Sequence, residues 1–212
     1  ILDLHSEAQS ALQGEALKGS VRLGVPDDYA AKYLTPVLKR FAPRYAGVDI
    51  ELSCEQSTAL IPRLRSGDLD LALVSRDSPQ SGTFLFHEPM VWVGSPQFEL
   101  WRRDPVPIAV YESESLARRY AVNSLAQQGR QFKVVYNSSS LAGQVAAVEG
   151  GLAIAAITQC TVQASLQVLS GEHGLGNIQP MEVSILRSRA SRGSKAVDSL
   201  HAFIISALRQ QA

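Results

Sequence analysis

The sequence predicts an α/β protein built from two lobes, each a parallel β-sheet covered by helices. Three observations predict this fold class. Strand and helix patterns alternate along the chain, the alternation occurs twice, and the composition is that of a globular protein, with 45% hydrophobic and 19% charged residues. Domains usually have about 100–150 residues, so a chain of 212 residues is long enough for two small lobes.

The first half opens with a strand and a helix. Apolar residues alternate in residues 21–25 and are followed by the turn residues 26–28, which indicates a strand that runs into a turn. Apolar residues then recur at helical spacing in residues 34–45. We expect Thr35 to be the N-cap of this helix, with Pro36 in its first turn.

The pattern continues with a strand, a helix and a strand. Residues 48–52 alternate as a second strand, and Ser57 or Thr58 is the expected N-cap of a short helix that ends at Gly67. The continuous apolar run 69–74 is typical of a buried parallel strand. Alternation of this kind predicts a parallel sheet with crossover helices.

The second half repeats the order of the first. Ser57 and Ser140 are 83 residues apart, and so are Gly67 and Gly150. This constant offset favours two lobes of one architecture, although any two adjacent helix-to-strand units with a glycine stop could align in this way. The predicted strands of the second half are residues 106–110, 132–136 and 152–157, and the predicted helices are residues 116–128 and the segment that runs from Ser140 to Glu149.

The remaining segments connect the lobes or extend them. Residues 84–93 and 158–169 are candidate crossovers, and the tail contains a strand near 181–186 and a helix near 194–208. The first lobe is expected to comprise residues 18–85 with part of the segment from about 160 to 212. Residues 86–159, with other parts of the tail, form the hinge and the second lobe. Residues 1–17 have an amphipathic pattern that indicates either the end of a longer helix packed on another chain or domain, or a helix docked on its own lobe.

Charge and hydropathy exclude several classes of function. Twenty basic and twenty acidic residues give a net charge of zero, so direct binding of nucleic acid by this chain is not expected. No apolar run approaches the roughly 20 residues that span a bilayer. Two cysteines do not form a disulfide framework, and no secretory signal is evident, so we expect a cytoplasmic protein.

Several motifs together resemble the effector-binding domain of LysR-type transcriptional regulators. They are KGSVRLG at 18–24, LTPVL at 34–38, VDIEL at 48–52, LRSGDLDLALV at 64–74 and EGGLAIA at 149–155. The resemblance implies two Rossmann-like lobes joined by two crossover strands, as in type II periplasmic binding proteins. It also implies that residues 1–17 are the end of a linker helix and that the DNA-reading winged helix-turn-helix is not part of this chain.

The resemblance also implies a small-molecule effector and a homodimer, which becomes a tetramer in the full-length regulator. The expected pairing places the helix and strand of residues 35–52 of one copy against the strand and helix of residues 132–149 of the other. DNA would be bound only through the N-terminal domain that is missing here. A solute-binding protein for transport shares the fold and is the alternative function.

We expect the effector in the cleft between the lobes, at the carboxyl ends of the parallel strands, where open α/β sheets bind ligands. Loops that open helices there offer backbone N–H groups and a partial positive charge. The resemblance assigns effector contact to Ser57, Thr58 and the loop at Asp27 and Asp28, although hydroxyls and carboxylates at these positions could also serve only as helix caps or turn residues. The candidate effector-binding residues are Asp27, Asp28, Tyr29, Ser57, Thr58, Tyr111, Glu112, Ser113, Asn137 and Ser138.

The carboxylates favour a particular class of effector. With Asp27, Asp28 and Glu112 in the predicted cleft, an amine, a polyol or an aromatic compound with hydroxyls fits better than a simple carboxylate. Cys54 follows the second strand and is either a redox sensor or, as we expect, a buried and inert thiol.

The sequence contains no pattern that indicates an enzyme. The four histidines are scattered, no metal-ligand spacing occurs, and the nucleophile elbow, the Walker loop and the HExxH motif are all missing. We therefore expect no catalytic residues, no metal and no cofactor. An enzyme that uses Asp27 or Glu112 as an acid or base stays a remote alternative.

Overall fold

The computed structural model of the protein describes residues 17–209. The helix predicted for residues 1–17 lies outside the described residues except for its last position. The strands are β1 (Gly19–Val25), β2 (Val48–Cys54), β3 (Leu71–Arg76), β4 (Thr83–Glu88), β5 (Met90–Gly94), β6 (Val106–Val110), β7 (Phe132–Asn137), β8 (Ile154–Thr158), β9 (Gln167–Leu169) and β10 (Met181–Arg187). The helices are α1 (Asp27–Tyr29), α2 (Thr35–Arg44), α3 (Ser57–Ser66), α4 (Leu116–Gln127), α5 (Leu141–Glu149) and α6 (Lys195–Arg209).

The chain divides into two compact units. Unit 1 combines the chain up to Phe86 with the chain from Val183 onward, and unit 2 is the continuous segment His87–Glu182. The boundaries fall inside β4 and inside β10, so these two strands carry the chain from one unit to the other. Strand β4 overlaps the predicted crossover of residues 84–93, and the second crossover strand is β10.

One predicted crossover lies elsewhere. Residues 158–169 contain β9, which pairs antiparallel with β5 in the sheet of unit 2. Because β9 is hydrogen-bonded into that sheet, the segment stays within unit 2. The chain returns to unit 1 only at β10.

The sheet of unit 1 has the strand order β2-β1-β3-β10-β4. Strand β1 pairs in parallel with β2, where Val21 lies opposite Ile50, and with β3, where Leu23 lies opposite Leu71. The predicted parallel core is therefore present. It places the carboxyl ends of β1, β2 and β3 at one edge of the sheet.

Helices cover this sheet with apolar side chains. Leu60 and Leu64 of α3 pack in one buried cluster with Leu69 and with Ala72 and Val74 of β3. A separate aromatic group joins α2 to α6, since the Phe41 ring lies 5.4 Å from the Phe203 ring, edge to face. Both contacts bury the apolar stripes that the sequence pattern predicts.

The first helical segment begins earlier than the sequence predicts. Helical turns start at Asp27, pass through a π-helical stretch at Ala30–Leu34 and continue into α2. Thr35 is therefore not an N-cap; its backbone N–H donates to the Ala30 carbonyl, five residues earlier. The wider π turn precedes Pro36, which has no N–H to donate within the helix.

Helix α3 starts at a different cap residue from the one expected, but it ends as predicted. Its N-cap is Gln56, so neither Ser57 nor Thr58 occupies the predicted cap position. Its C-cap is Gly67, as predicted, in the left-handed conformation with φ of 86°. Glycine adopts this conformation without the steric cost that a Cβ would add.

The sheet of unit 2 has the order β7-β6-β8-β5-β9. Strand β6 pairs in parallel with β7 and β8, whereas β5 runs antiparallel to β8 and β9. Successive residues of these strands enter two different apolar clusters. Ile108 and Trp92 belong to the cluster that contains residues of α4, while Ala109 and Val93 belong to the cluster that contains residues of α5. The sheet is thus buried on both faces.

The internal repeat is visible in the strands. Strand β3 begins at Leu71 and β8 begins at Ile154, 83 positions later, as the sequence offset predicts. The helix ends match less closely. Gly67 is left-handed, but its counterpart Gly150 has φ of −74°, and Gly151 instead has φ of 70°.

Candidate functional site

Polar residues gather at the carboxyl ends of the parallel strands of unit 1. Asp27, Asp28 and Tyr29 follow β1, while Ser57 and Thr58 follow β2. Because β1 and β2 are parallel neighbours, these two loops share one edge of the sheet. The structure thus brings together the predicted site residues of the first lobe.

A hydroxyl network joins three strand ends in unit 1. The hydroxyl oxygen of Tyr29 lies 2.7 Å from Oγ of Ser75, a residue of β3. The backbone N–H of Ser75 in turn donates to Oγ of Ser57 at 3.0 Å. Tyr29 is 1% exposed, so its ring is anchored in the core while its hydroxyl serves the network. Ser57 therefore accepts from β3 and does not cap its own helix.

The two carboxylates after β1 differ in burial. Asp27 is exposed and Asp28 is 7% exposed, and both lie in the first turn of the helical segment that starts at α1. Negative charge is favourable at a helix N-terminus, because the peptide dipoles and free N–H groups are positive there. The predicted turn is therefore a helix start that carries two acidic side chains.

Cys54 lies beside Asp27 and is an exposed residue, so the expectation of a buried thiol is wrong. Partial burial raises the pKa of the Cys54 thiol, and the charge and hydrogen bond of Asp27 raise it further. The protonated thiol is therefore favoured at neutral pH. This environment is the opposite of the electropositive one that activates redox-sensing cysteines.

Unit 2 presents its predicted site residues at the carboxyl ends of β6 and β7. Tyr111 is 2% exposed, and Glu112 is half-buried. Ser113 and Asn137 are exposed. The backbone N–H of Ser138 donates to the Val110 carbonyl at 3.1 Å and so ties the two loops together.

The loop after β7 also starts α5 as the sequence predicts. Ser140 is the N-cap, and its Oγ accepts from the backbone N–H of Gly143 at 3.2 Å. Oγ of Ser138 accepts from the N–H of Ser140 at 3.1 Å. An added Cβ at Gly143 would clash with the Tyr136 hydroxyl, so a larger residue here would have to displace that side chain. Backbone and hydroxyl groups therefore shape this loop.

Sequence reasoning missed Gln144, which lies in the first turn of α5. Its side chain is 0% exposed, and neither Nε2 nor Oε1 has a hydrogen-bond partner among the described residues. A buried amide in this state is uncommon and costs free energy. The signal was available, because Gln144 is the one polar residue on the apolar face made by Val145, Ala147 and Val148.

Other chemistry is not evident in the part of the chain that the structure describes. Residues 17–209 hold no group of three or more His, Cys, Asp or Glu side chains suited to a metal ion. No helix among these residues combines the length and the apolar character needed to cross a membrane.

Comparison with known proteins agrees with this architecture. A sequence model of the LysR substrate binding domain matches residues 14–209. The transcriptional regulator DgdR of Burkholderia cepacia is 34% identical over 186 residues, which cover 87% of this chain and 63% of that protein. The regulator PecT of Dickeya dadantii is 25% identical over 89% of this chain and 60% of its own length. The chain therefore spans about 60% of the curated relatives that it matches.

A solved structure shows the same fold. The effector binding domain of QuiR, in complex with shikimate, has a TM-score of 0.76 over 91% of this chain and 98% of that one, at 16% identity. This fold is the expected one of type II periplasmic binding proteins. The relatives are transcriptional regulators, which favours a sensor over both an enzyme and a transport protein. The chain belongs to the LysR substrate binding domain family.

Proposed function

We propose that this chain is the effector-sensing part of a LysR-type transcriptional regulator and that the strand-end residues of each unit bind the effector. The hydroxyl network of Tyr29, Ser75 and Ser57 is the observation that carries this proposal. It fixes polar groups from three strand ends at the sheet edge where α/β proteins bind ligands. Preorganised groups of this kind reduce the entropy that ligand binding costs.

In unit 1 the proposed contacts are Asp27, Asp28, Tyr29, Ser57 and Thr58. In unit 2 they are Tyr111, Glu112, Ser113, Asn137 and Ser138. Three of these ten side chains are carboxylates, and carboxylates accept hydrogen bonds without donating any. The proposed effector is therefore a small molecule rich in donors: an amine, a polyol or an aromatic compound with hydroxyls.

The proposed mechanism is a shift of population. The effector must bind one conformation of the sensor better than another, and the difference in binding free energy is the coupling to the rest of the regulator, typically about 1–3 kcal/mol. We place the regulator in the cytoplasm. Its DNA contacts would come from a winged helix-turn-helix in the full-length protein.

A homodimer is the proposed assembly, with a tetramer in the full-length protein. β2 and β7 each lie at one edge of their sheet, and both expose apolar side chains. Leu52 of β2 is 42% exposed, and Val134 and Val135 of β7 are 40% and 43% exposed. Exposed apolar residues on an edge strand favour pairing with another chain. The proposed contact puts α2 and β2 of one copy against β7 and α5 of the other.

The test of effector binding is a thermal-shift screen of this chain against a panel of a few hundred metabolites. A ligand at 100 times its Kd adds about 2.7 kcal/mol of stability, which raises the Tm by about 5–10 °C for a chain of this size. We expect hits among hydroxylated and amine compounds. The variants Asp28→Asn and Thr58→Val remove proposed contacts of unit 1, and Glu112→Gln removes one of unit 2. Each variant should abolish the ligand-induced rise in Tm.

Matched controls separate the site from general effects. Asp49→Asn removes a carboxylate from the exposed amino end of β2, and Thr83→Val removes a half-buried hydroxyl from β4. Both controls should keep the full ligand-induced shift. A ligand whose shift is the same in Thr58→Val, Glu112→Gln and the controls would show that the effector binds elsewhere.

A further inference from the structure

A surface cavity of about 320 Å³ lies in unit 1 between β10 and α6. Its lining is Arg187, Ser188, Arg189, Arg192 and Gly193. This volume is at the lower end of the range for small-molecule pockets, about 300–1,000 Å³. Three arginines in so short a segment make a local excess of positive charge in a chain whose net charge is zero.

The cavity lies away from the proposed effector-binding residues of unit 1. The backbone N–H of Ser188 donates to the Asp70 carbonyl at 2.9 Å, and Asp70 directly precedes β3. The cavity is thus at the amino end of β3. Ser75, which joins the hydroxyl network, is near the carboxyl end of the same strand.

One arginine of the cavity is held rigidly. Arg187 donates from Nη2 to the Ser191 carbonyl at 2.7 Å and from Nε to Ser191 Oγ at 3.2 Å, and its Nη1 pairs with Asp198. The Ser191 N–H donates to Ser188 Oγ at 3.2 Å, which closes the loop upon itself. The loop is therefore shaped before any ligand binds.

The other two arginines are available to a ligand. Arg189 and Arg192 are exposed, and neither guanidinium has a hydrogen bond or ion pair with any side chain in the described range 17–209. Asp198 balances the charge of Arg187 but not that of the other two. Planar guanidinium groups bind the oxygens of phosphate and carboxylate in pairs, which favours an oxyanion with several oxygens.

The adjacent helix adds to the same field. α6 has 15 residues and begins at Lys195, two positions after Gly193. The N-terminus of a helix of this length carries partial positive charge that favours an anion, although the Val197 N–H already donates to Ser194 Oγ at 3.4 Å. The cavity and its two uncommitted arginines, not the helix end alone, define the site.

We propose that this cavity binds a small phosphorylated metabolite through Arg189 and Arg192, as a second ligand site separate from the proposed effector site. A phosphoryl group fits between two guanidinium groups, and about 320 Å³ leaves room for a small organic moiety. The phosphate of a nucleic acid backbone offers the same chemistry. A concave site of this size favours the small molecule, and the test distinguishes the two.

His201 provides a direct readout because it lies in the field of the same arginine. Burial lowers the pKa of His201, and the charge of Arg187 lowers it further, against the opposite effect of Asp198. An anion bound in the cavity offsets the positive charge and should raise the pKa of His201. His87 lies outside the cavity lining and serves as an internal control in the same spectrum.

The experiment is a titration of this chain with inorganic phosphate, followed by proton NMR of the histidine rings at constant ionic strength. In the wild type, the His201 signal should move with a saturable profile and its pKa should rise, while the His87 signal stays in place. The double variant Arg189→Gln/Arg192→Gln should weaken phosphate binding by about tenfold or more, since charge-assisted hydrogen bonds are among the stronger ones. The charge-matched control Lys39→Gln/Arg119→Gln, which changes two exposed side chains on α2 and α4, should bind phosphate as the wild type does.

Three results would overturn the proposal. One is a His201 response to phosphate no larger than the response to chloride at equal ionic strength. Another is equal phosphate affinity in the double variant and the control. The third is binding of a short DNA duplex that depends on Arg189 and Arg192 without any saturable response to phosphate, which would assign the cluster to nucleic acid. The variant Thr58→Val, which tests the proposed effector site, should leave the phosphate titration unchanged. Either proposal can therefore be refuted while the other still holds.

Discussion

Replacing Gln144 with methionine should increase the free energy of unfolding of unit 2. The side chain of Gln144 is 0% exposed, and both polar atoms of its amide lack a hydrogen-bond partner among the described residues. A buried polar group without a partner costs about 1–3 kcal/mol relative to water. Methionine has a similar length and shape and removes both polar atoms without leaving a large cavity.

The expected gain is about 1–2 kcal/mol, because the methionine side chain also loses some conformational freedom and fits the space imperfectly. For a chain of this size, this gain corresponds to a rise of about 3–6 °C in Tm. The assay is urea unfolding followed by tryptophan fluorescence. Both tryptophans of the chain, Trp92 and Trp101, belong to unit 2, so the fluorescence reports on the unit that contains Gln144.

Gln127→Met is the matched control. Gln127 is exposed on α4, in the same unit and also in a helix, so its replacement should change the free energy of unfolding by less than about 0.5 kcal/mol. A loss of 1 kcal/mol or more in Gln144→Met, with the control unchanged, would refute the reasoning. It would mean that the amide is satisfied in solution, for example by an ordered water molecule.

The remaining predictions concern an ion pair, a thiol and an interface. Asp70→Asn should lower the free energy of unfolding by about 2 kcal/mol, because it weakens three hydrogen bonds from Arg22 to the Asp70 carboxylate. Burial acts to raise the pKa of Asp70, but the hydrogen bonds and charge of Arg22 hold it below its ordinary value. The stabilisation is therefore present above about pH 3.9 and is lost as the pH falls through the lower pKa of the folded state, so urea melts of wild type and variant should converge in acid. Asp27→Asn should lower the pKa of the Cys54 thiol and speed its alkylation by iodoacetamide near neutral pH, and an unchanged rate would contradict the assigned contact. Val135→Glu should shift sedimentation from dimer to monomer, whereas a dimer of unchanged stability would argue against the proposed pairing.

The elements of the fold could be predicted where the spacing of apolar residues and the positions of turn residues indicate the same element. β6 has the bounds that the sequence predicts, and Ser140 caps α5 as its position before an apolar helix indicates. The start of the first helical segment could not be predicted in this way. Pro26, Asp27 and Asp28 have the composition of a turn, yet the helix starts there, because the π turn before Pro36 lets helical structure continue through a proline.

The candidate site was predictable as a set of loops but not as a set of contacts. Ser57 has the residue type and position of a helix cap. Its hydroxyl has a different partner, the Ser75 N–H, only because α3 packs on β3 in the folded protein. Gln144 was overlooked because a glutamine in a helix ordinarily faces solvent, although its place on the apolar face of α5 signals burial. Likewise Cys54 was expected to be buried, whereas β2 is an edge strand and leaves it exposed.

The strand order of unit 1 has a consequence for synthesis on the ribosome. β10 lies between β3 and β4 in the sheet, although it is made after the whole of unit 2. While the chain is still emerging, β3 and β4 lack the strand that joins them, and α6 has not yet been made to pack on α2. Unit 2, a continuous segment, has all its strands available first. Unit 2 is therefore the first that can fold completely, and the part of unit 1 that precedes it must wait for the segment from Val183 onward.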